Sequence, residues 1–68
     1  MDKIRIKTGG NWRSWWGNMP LPKGAEAVGT VQTENGQGAL IRLESGQYVQ
    51  GNAGAISNLP QNEIIKKI

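Results

Sequence analysis

The sequence predicts a mainly β (α+β) protein, a small antiparallel meander of three to four strands with a long tryptophan-rich loop and a short C-terminal helix. Three observations lead there. Lys3-Ile4-Arg5-Ile6-Lys7 alternates charge with isoleucine at a period of two, the pattern of a half-buried strand. Asn35-Gly36 separates two stretches rich in β-formers, and Asn-Gly is the strongest short hairpin signal in a sequence. Asn58-Leu59-Pro60-Gln61-Asn62-Glu63 places proline near a first helical turn and a carboxylate at the positive end of the dipole.

Each element follows in order. In the first strand Ile4 and Ile6 share the buried face, which leaves Lys3, Arg5 and Lys7 on the other. A wholly cationic face suits an edge strand guarded against unwanted pairing, and equally a strip that meets phosphates. Thr8 to Gly24 then holds four glycines, two prolines and all three tryptophans of a chain without phenylalanine. That composition excludes a long regular element. One helical turn around Trp12 to Trp16 fits, with Asn11 as its cap, and Met19-Pro20-Leu21-Pro22 should run extended because proline disfavours the α region in the residue before it.

Glu26 to Tyr48 reads as a hairpin followed by a third strand. With Asn35-Gly36 as the turn, Glu34 pairs with Gln37, Val31 with Leu40, Thr30 with Ile41 and Val28 with Leu43. Val28, Thr30, Ala39, Ile41 and Leu43 then form the core side. Val31, Leu40, Arg42 and Glu44 face the other way, a mixture suited to a rim or an interface. Ser45-Gly46 supplies a second tight turn, placing Tyr48 opposite Leu43 and Val49 beside Arg42. Gly51-Asn52-Ala53-Gly54 is small and turn-prone, a place where the backbone reverses. Ile64, Ile65 and Ile68 of the final helix would pack on the sheet, with Lys66 and Lys67 at its favourable end; a strand over the same residues is the rival, given the β propensity of isoleucine.

Sixty-eight residues make room for a single small domain, 1–68. Such a domain buries only roughly 60% of its unfolded surface. Cysteine and histidine are both absent, so neither disulfides nor the usual zinc ligands stabilise it. Self-association is the remaining route, and a homo-oligomer is expected. The alternating start lacks the apolar run of a secretory signal, and no stretch approaches the ~20 apolar residues that span a bilayer. The expected location is cytoplasmic, with no membrane partner.

The missing residue types also bound the chemistry. Ser14, Ser45 and Ser57 have no imidazole partner, and no thiol nucleophile exists. Each of Asp2, Glu26, Glu34, Glu44 and Glu63 falls where a solvated turn, strand edge or helix start carries a carboxylate. The glycines at 51 and 54 lack the Gly-Lys-Ser/Thr ending of a phosphate loop. The expectation is therefore no enzyme, no cofactor and no metal.

The residues that point to binding are cationic and aromatic. Residues 1–23 hold Lys3, Arg5, Lys7, Arg13 and Lys23 against Asp2 alone, and the chain ends in Lys66-Lys67-Ile68. A fold that joins the termini would gather this charge into one patch. Trp12, Trp15 and Trp16 are plates that anchor a core when buried and stack on a ligand when exposed. The candidate site is Lys3, Arg5, Lys7, Trp12, Arg13, Trp15, Trp16 and Arg42, for nucleic acid or a protein partner. Nucleic acid ranks slightly ahead, with phosphates on the cations and an unpaired base on an indole. The alternative is a protein-interaction module or inhibitor of a host protein, acting as a homo-oligomer, since Trp and Arg dominate interface energies.

Gly46-Gln47-Tyr48-Val49-Gln50-Gly51-Asn52-Ala53-Gly54-Ala55-Ile56-Ser57-Asn58-Leu59-Pro60-Gln61, with the preceding Gly38-Ala39-Leu40-Ile41-Arg42-Leu43, resembles the closing segment of short uncharacterised bacterial proteins carried by phages, plasmids and gene cassettes. Residues 46–61 alone make about a quarter of the chain, and the resemblance brings no activity with it. It implies a role on a mobile genetic element, in nucleic-acid management or in interference with a host protein, rather than in metabolism.

Overall fold

In the computed structural model, which describes residues 3–68, the chain is a five-stranded antiparallel meander. Its strands are β1 (Arg5–Thr8), β2 (Glu26–Thr33), β3 (Gly36–Arg42), β4 (Tyr48–Asn52) and β5 (Ala55–Asn58), paired in sequence order. A single helical turn, α1 (Arg13–Trp16), interrupts the loop between β1 and β2, and α2 (Gln61–Lys67) closes the chain. The helical reading of the C-terminal segment holds over its strand rival. Among the described residues no helix is long and apolar enough to cross a membrane.

The fifth strand is the element that the sequence does not signal. Gly51-Asn52-Ala53-Gly54 does reverse the chain, but the return limb is itself a strand: Asn52 pairs with Ala55 and Gly51 with Ile56. Ala53 and Gly54, between the paired residues, both take positive φ, 48° and 87°. Two left-handed central residues match the natural twist of flanking strands, which is why such turns make tight hairpins.

The first hairpin is displaced by two residues from the expected register. Its ladder closes on Thr33 and Gly36, with Val31 opposite Gly38 and Thr30 opposite Ala39. Glu34 and Asn35 occupy the turn, and Gly36 takes the positive φ of 124°. The Thr33 hydroxyl accepts from the Asn35 amide at 3.2 Å and donates to the Gly36 carbonyl at 3.3 Å. An Asn-Gly pair serves either as the two central residues of a primed turn or as the end of an ordinary turn followed by a left-handed glycine. The chain uses the second. A shift of two preserves side-chain parity, so Thr30, Ala39 and Ile41 stay on one face as expected. An irregularity between Ala27 and Gly29 moves Val28 to the other.

The second hairpin is out by one, and there the faces do change. Arg42 pairs with Tyr48 and Ile41 with Val49, because the loop closes with Leu43 donating its amide to the Gln47 carbonyl at 2.8 Å. Val49 therefore enters the core beside Ile41. Tyr48 goes to the opposite side.

Both faces of the sheet are covered, and this corrects the reading of Val31 and Leu40 as a rim. On the helix face Ile4, Val31, Leu40, Leu59 and Ile64 form one buried cluster, with Ile6, Val28 and Tyr48 at its margin. On the tryptophan face Trp16, Ala39, Ile41 and Val49 form another, flanked by Trp12, Leu21, Ala25, Ala27 and Leu43. Strand β3 lies between them, with Gly38, Ala39, Leu40 and Ile41 all buried. A strand with two buried faces reads as a continuous apolar run rather than an alternation. At ~1.5–3 kcal/mol for each fully buried large aliphatic side chain, Leu40 and Ile41 are main contributors to holding the two layers together.

The two caps are fixed in different ways. Helix α2 inserts Ile64, fully buried, and its Gln61 carboxamide donates to the Tyr48 carbonyl at 2.7 Å and accepts from the Tyr48 amide at 2.8 Å. The side chain thereby continues the ladder past the end of β5. Helix α1 has Trp12 at its N-cap with no side-chain capping bond; Asn11 contributes its carbonyl, accepting from the Ser14 amide. The loop is pinned instead by Trp16, 3% exposed, whose Nε1 donates to the Met19 carbonyl at 3.0 Å, and by the Ala53 amide donating to the Trp15 carbonyl at 2.9 Å. Gly51 makes the seat for Trp16, since a Cβ there would lie 2.6 Å from its ring.

A cation and tryptophan face beside strand one

Cross-strand partners share a face, so the register locates the candidate residues directly. Lys7 pairs with Thr30, which pairs with Ala39 beneath the tryptophan loop; Arg5 pairs with Gln32, which pairs with Gln37. Arg5 and Lys7 therefore project on the tryptophan face, while Ile4 and Ile6 face α2. The Lys7 Cε lies 3.6 Å from the place a Cβ on Gly10 would occupy, so this side chain reaches the start of the tryptophan loop.

Trp12 is half-buried against the Ile41 layer, and the Arg13 guanidinium carbon sits 4.7 Å from its ring centroid. This is cation–π distance. The stack presents a planar cation to solvent with an aromatic plate beneath it, and guanidinium planes as well as aromatic rings accept an unstacked base. Trp15 is 39% exposed, whereas Trp16 is the plug described above. Adjacent positions thus divide the two roles open to an indole.

Charge pairing separates the cations further. Among the described residues, Lys3 is 3.5 Å from Glu34, and Arg42 donates to Glu26 at 2.9 Å. Arg42 shares the helix face with Tyr48, away from Arg5 and Lys7. Lys67 donates to the Ile4 carbonyl, which brings the end of α2 against the residue preceding β1. The two ends of the described chain do meet, but α2 packs on the face opposite Arg5 and Lys7. Among the described residues no carboxylate pairs with Arg5, Lys7 or Arg13.

The candidate residues that share the tryptophan face are therefore Arg5, Lys7, Trp12 and Arg13, with Trp15 exposed on the same loop. Lys3, Trp16 and Arg42 lie outside it. Thr30, Gln32 and Gln37, which sequence reasoning missed, fill the strip between the cations and the loop. The register of β1 on β2 is the signal that would have found them. Across the sheet a groove of about 540 Å³ is lined by Thr33, Gln50 and Asn52 among others. Gln50 there accepts from Thr33 and donates to the Gly36 carbonyl and Asn52 Oδ1, so the buried amide is satisfied within the protein. Comparison with protein-family models, curated proteins and solved structures finds no match.

Proposed function

We propose that this chain is a small non-catalytic binding protein that contacts unpaired nucleic acid through Arg5, Lys7 and Arg13, with Trp12 and Trp15 as stacking surfaces. One observation carries the reading: Arg5, Lys7 and Arg13, which have no carboxylate partner among the described residues, share a face with the accessible indoles. Backbone charge neutralisation supplies affinity, and stacking on aromatic and guanidinium planes contributes about 1–3 kcal/mol per base. Gln32 and Gln37 add amides able to meet base edges or phosphate oxygens. A cytoplasmic protein of a mobile genetic element would suit this role, in keeping with the resemblance of residues 46–61.

The test is titration with single-stranded and duplex oligonucleotides, following tryptophan fluorescence at several salt concentrations. Three neutralised phosphates on a single strand correspond to a slope of log K against log salt of about −2, and Arg5→Gln should reduce its magnitude by about 0.7. Absence of any response at low salt overturns the reading.

A second reading, a protein-docking module acting as a homo-oligomer, is favoured by a specific observation. Trp15, Met19 and Ile56 are exposed apolar side chains gathered around the β4–β5 hairpin. Clustered exposed apolar surface is a mark of interaction sites.

A further inference from the structure

We propose that strand β5 is the seam of a homodimer, pairing antiparallel with β5 of a second copy about a two-fold axis at Ser57. The inference rests on the self-association reading above and is independent of the nucleic-acid reading.

The sheet has two edges, and only one is guarded. The β1 edge carries Arg5 and Lys7, with Lys3 just before it, and lysine or arginine on an edge discourages pairing. Beyond the end of β5, the exposed flank of β4 is capped by the Gln61 carboxamide on Tyr48. Strand β5 itself has no such device. Ala55-Ile56-Ser57-Asn58 contains no charge and no proline, and all four residues are exposed.

The hydrogen-bond parity shows which groups are available. Around a two-residue turn the flanking pair, Asn52 and Ala55, exchanges both backbone bonds, and alternate pairs repeat this, so Gln50 and Ser57 do likewise. Tyr48, of the same parity, turns its amide and carbonyl toward Gln61, as this pattern requires. The amides and carbonyls of Ile56 and Asn58 therefore point away from β4. Set antiparallel across a two-fold axis at Ser57, Ile56 of one copy stands opposite Asn58 of the other, twice over. Every outward group of the strand finds its complement.

A second copy fits better than continued addition of strands. The contact is isologous and closes on itself, and the edges left at either end are both cationic β1. The axis is normal to the sheet, so both tryptophan faces lie on the same side of a continuous ten-stranded sheet, two times five. Ile56, 41% exposed, lies on that side beside Gly51 and its Trp16 plug, and would be covered at the joint.

The test is mass by light scattering across a dilution series, with amide exchange on the same samples. The wild-type chain is expected at twice its 7.4 kDa mass, with dissociation on dilution. Ile56→Lys should run as a folded monomer, whereas Ile65→Lys, at an equally apolar and more exposed position on α2, should remain a dimer. In the wild type, exchange at Ile56 and Asn58 should slow as concentration rises, while Ala55 and Ser57 stay protected throughout. A monomeric wild type, a folded Ile56→Lys dimer, or concentration-independent exchange at Ile56 and Asn58 each overturns the proposal. Ile56 lies outside the cation strip, so Ile56→Lys should keep the fluorescence response to oligonucleotides; loss of that response alone in the wild type would refute the nucleic-acid reading and leave the seam standing.

Discussion

Replacing Gly51 with alanine sets two effects of opposite sign against each other, and the structure says which prevails. An alanine in a strand is ordinarily better than glycine by roughly 0.5–1 kcal/mol, because less backbone entropy is lost on folding. Here the new methyl would stand 2.6 Å from Ile41 Cδ1, 2.6 Å from Trp16 Cε3 and 2.9 Å from Trp16 Cζ3. Ile41 Cδ1 is the end of a rotatable chain and can turn aside. The indole cannot, being a rigid plate held by its Nε1 bond to Met19 and by the Trp15–Ala53 backbone bond. Overpacking costs typically about 1–3 kcal/mol, so the net loss should be about 1–2 kcal/mol. In a domain of this size that corresponds to a fall of about 4–16 °C in melting temperature. Thermal melts by circular dichroism measure it, and a double-mutant cycle with Trp16→Leu assigns it. In the Trp16→Leu background the penalty for Gly51→Ala should shrink by about 1 kcal/mol or more, as expected for residues in direct contact. An unchanged melting temperature for Gly51→Ala, or an equal penalty in both backgrounds, would refute the reasoning.

Other expected outcomes follow from single contacts. Ala53→Gly should stabilise the fold by up to about 1 kcal/mol, read as a higher urea midpoint, since left-handed alanine costs roughly 1–2 kcal/mol and the exposed methyl packs on nothing essential. Leu40→Ala should cost about 2–5 kcal/mol, enough in so small a domain to abolish the cooperative melt. Gln61→Leu should cost about 1–3 kcal/mol in the same urea assay, because it leaves the Tyr48 amide and carbonyl without their partner. Arg42→Gln should change stability by less than about 1 kcal/mol, its pair with Glu26 being exposed on both sides.

How legible the sequence was depended on whether burial left a pattern. Strand β1 was readable because Ile4 and Ile6 alternate with cations, and α2 because Pro60, Glu63 and the paired lysines mark its two ends. Strand β5 was not, because Ala55-Ile56-Ser57-Asn58 is exposed at every position and an edge strand that buries neither face imposes no alternation. Val31 and Leu40 were misplaced for the opposite reason: with both faces covered, the second apolar face resembles a rim until the helix that covers it is known. At the candidate site the cationic strand and the indole cluster were visible as composition. Which indole is the plug, and that Glu26 and Glu34 lie beside Arg42 and Lys3, depend on register and on contacts between residues far apart in sequence.

The backbone bond between Trp15 and Ala53, together with the Trp16 plug, ties the tryptophan loop to the tip of a hairpin 38 residues further along the chain. A loop so tethered has already surrendered its freedom in the unliganded protein, and a ligand arriving at Trp12 and Arg13 need not order it again. Recognition there is therefore expected to resemble docking onto a fixed shelf. Cutting the tether, by Trp16→Ala for instance, should weaken binding through the entropy of a slackened loop even though the Trp16 side chain is buried away from the ligand.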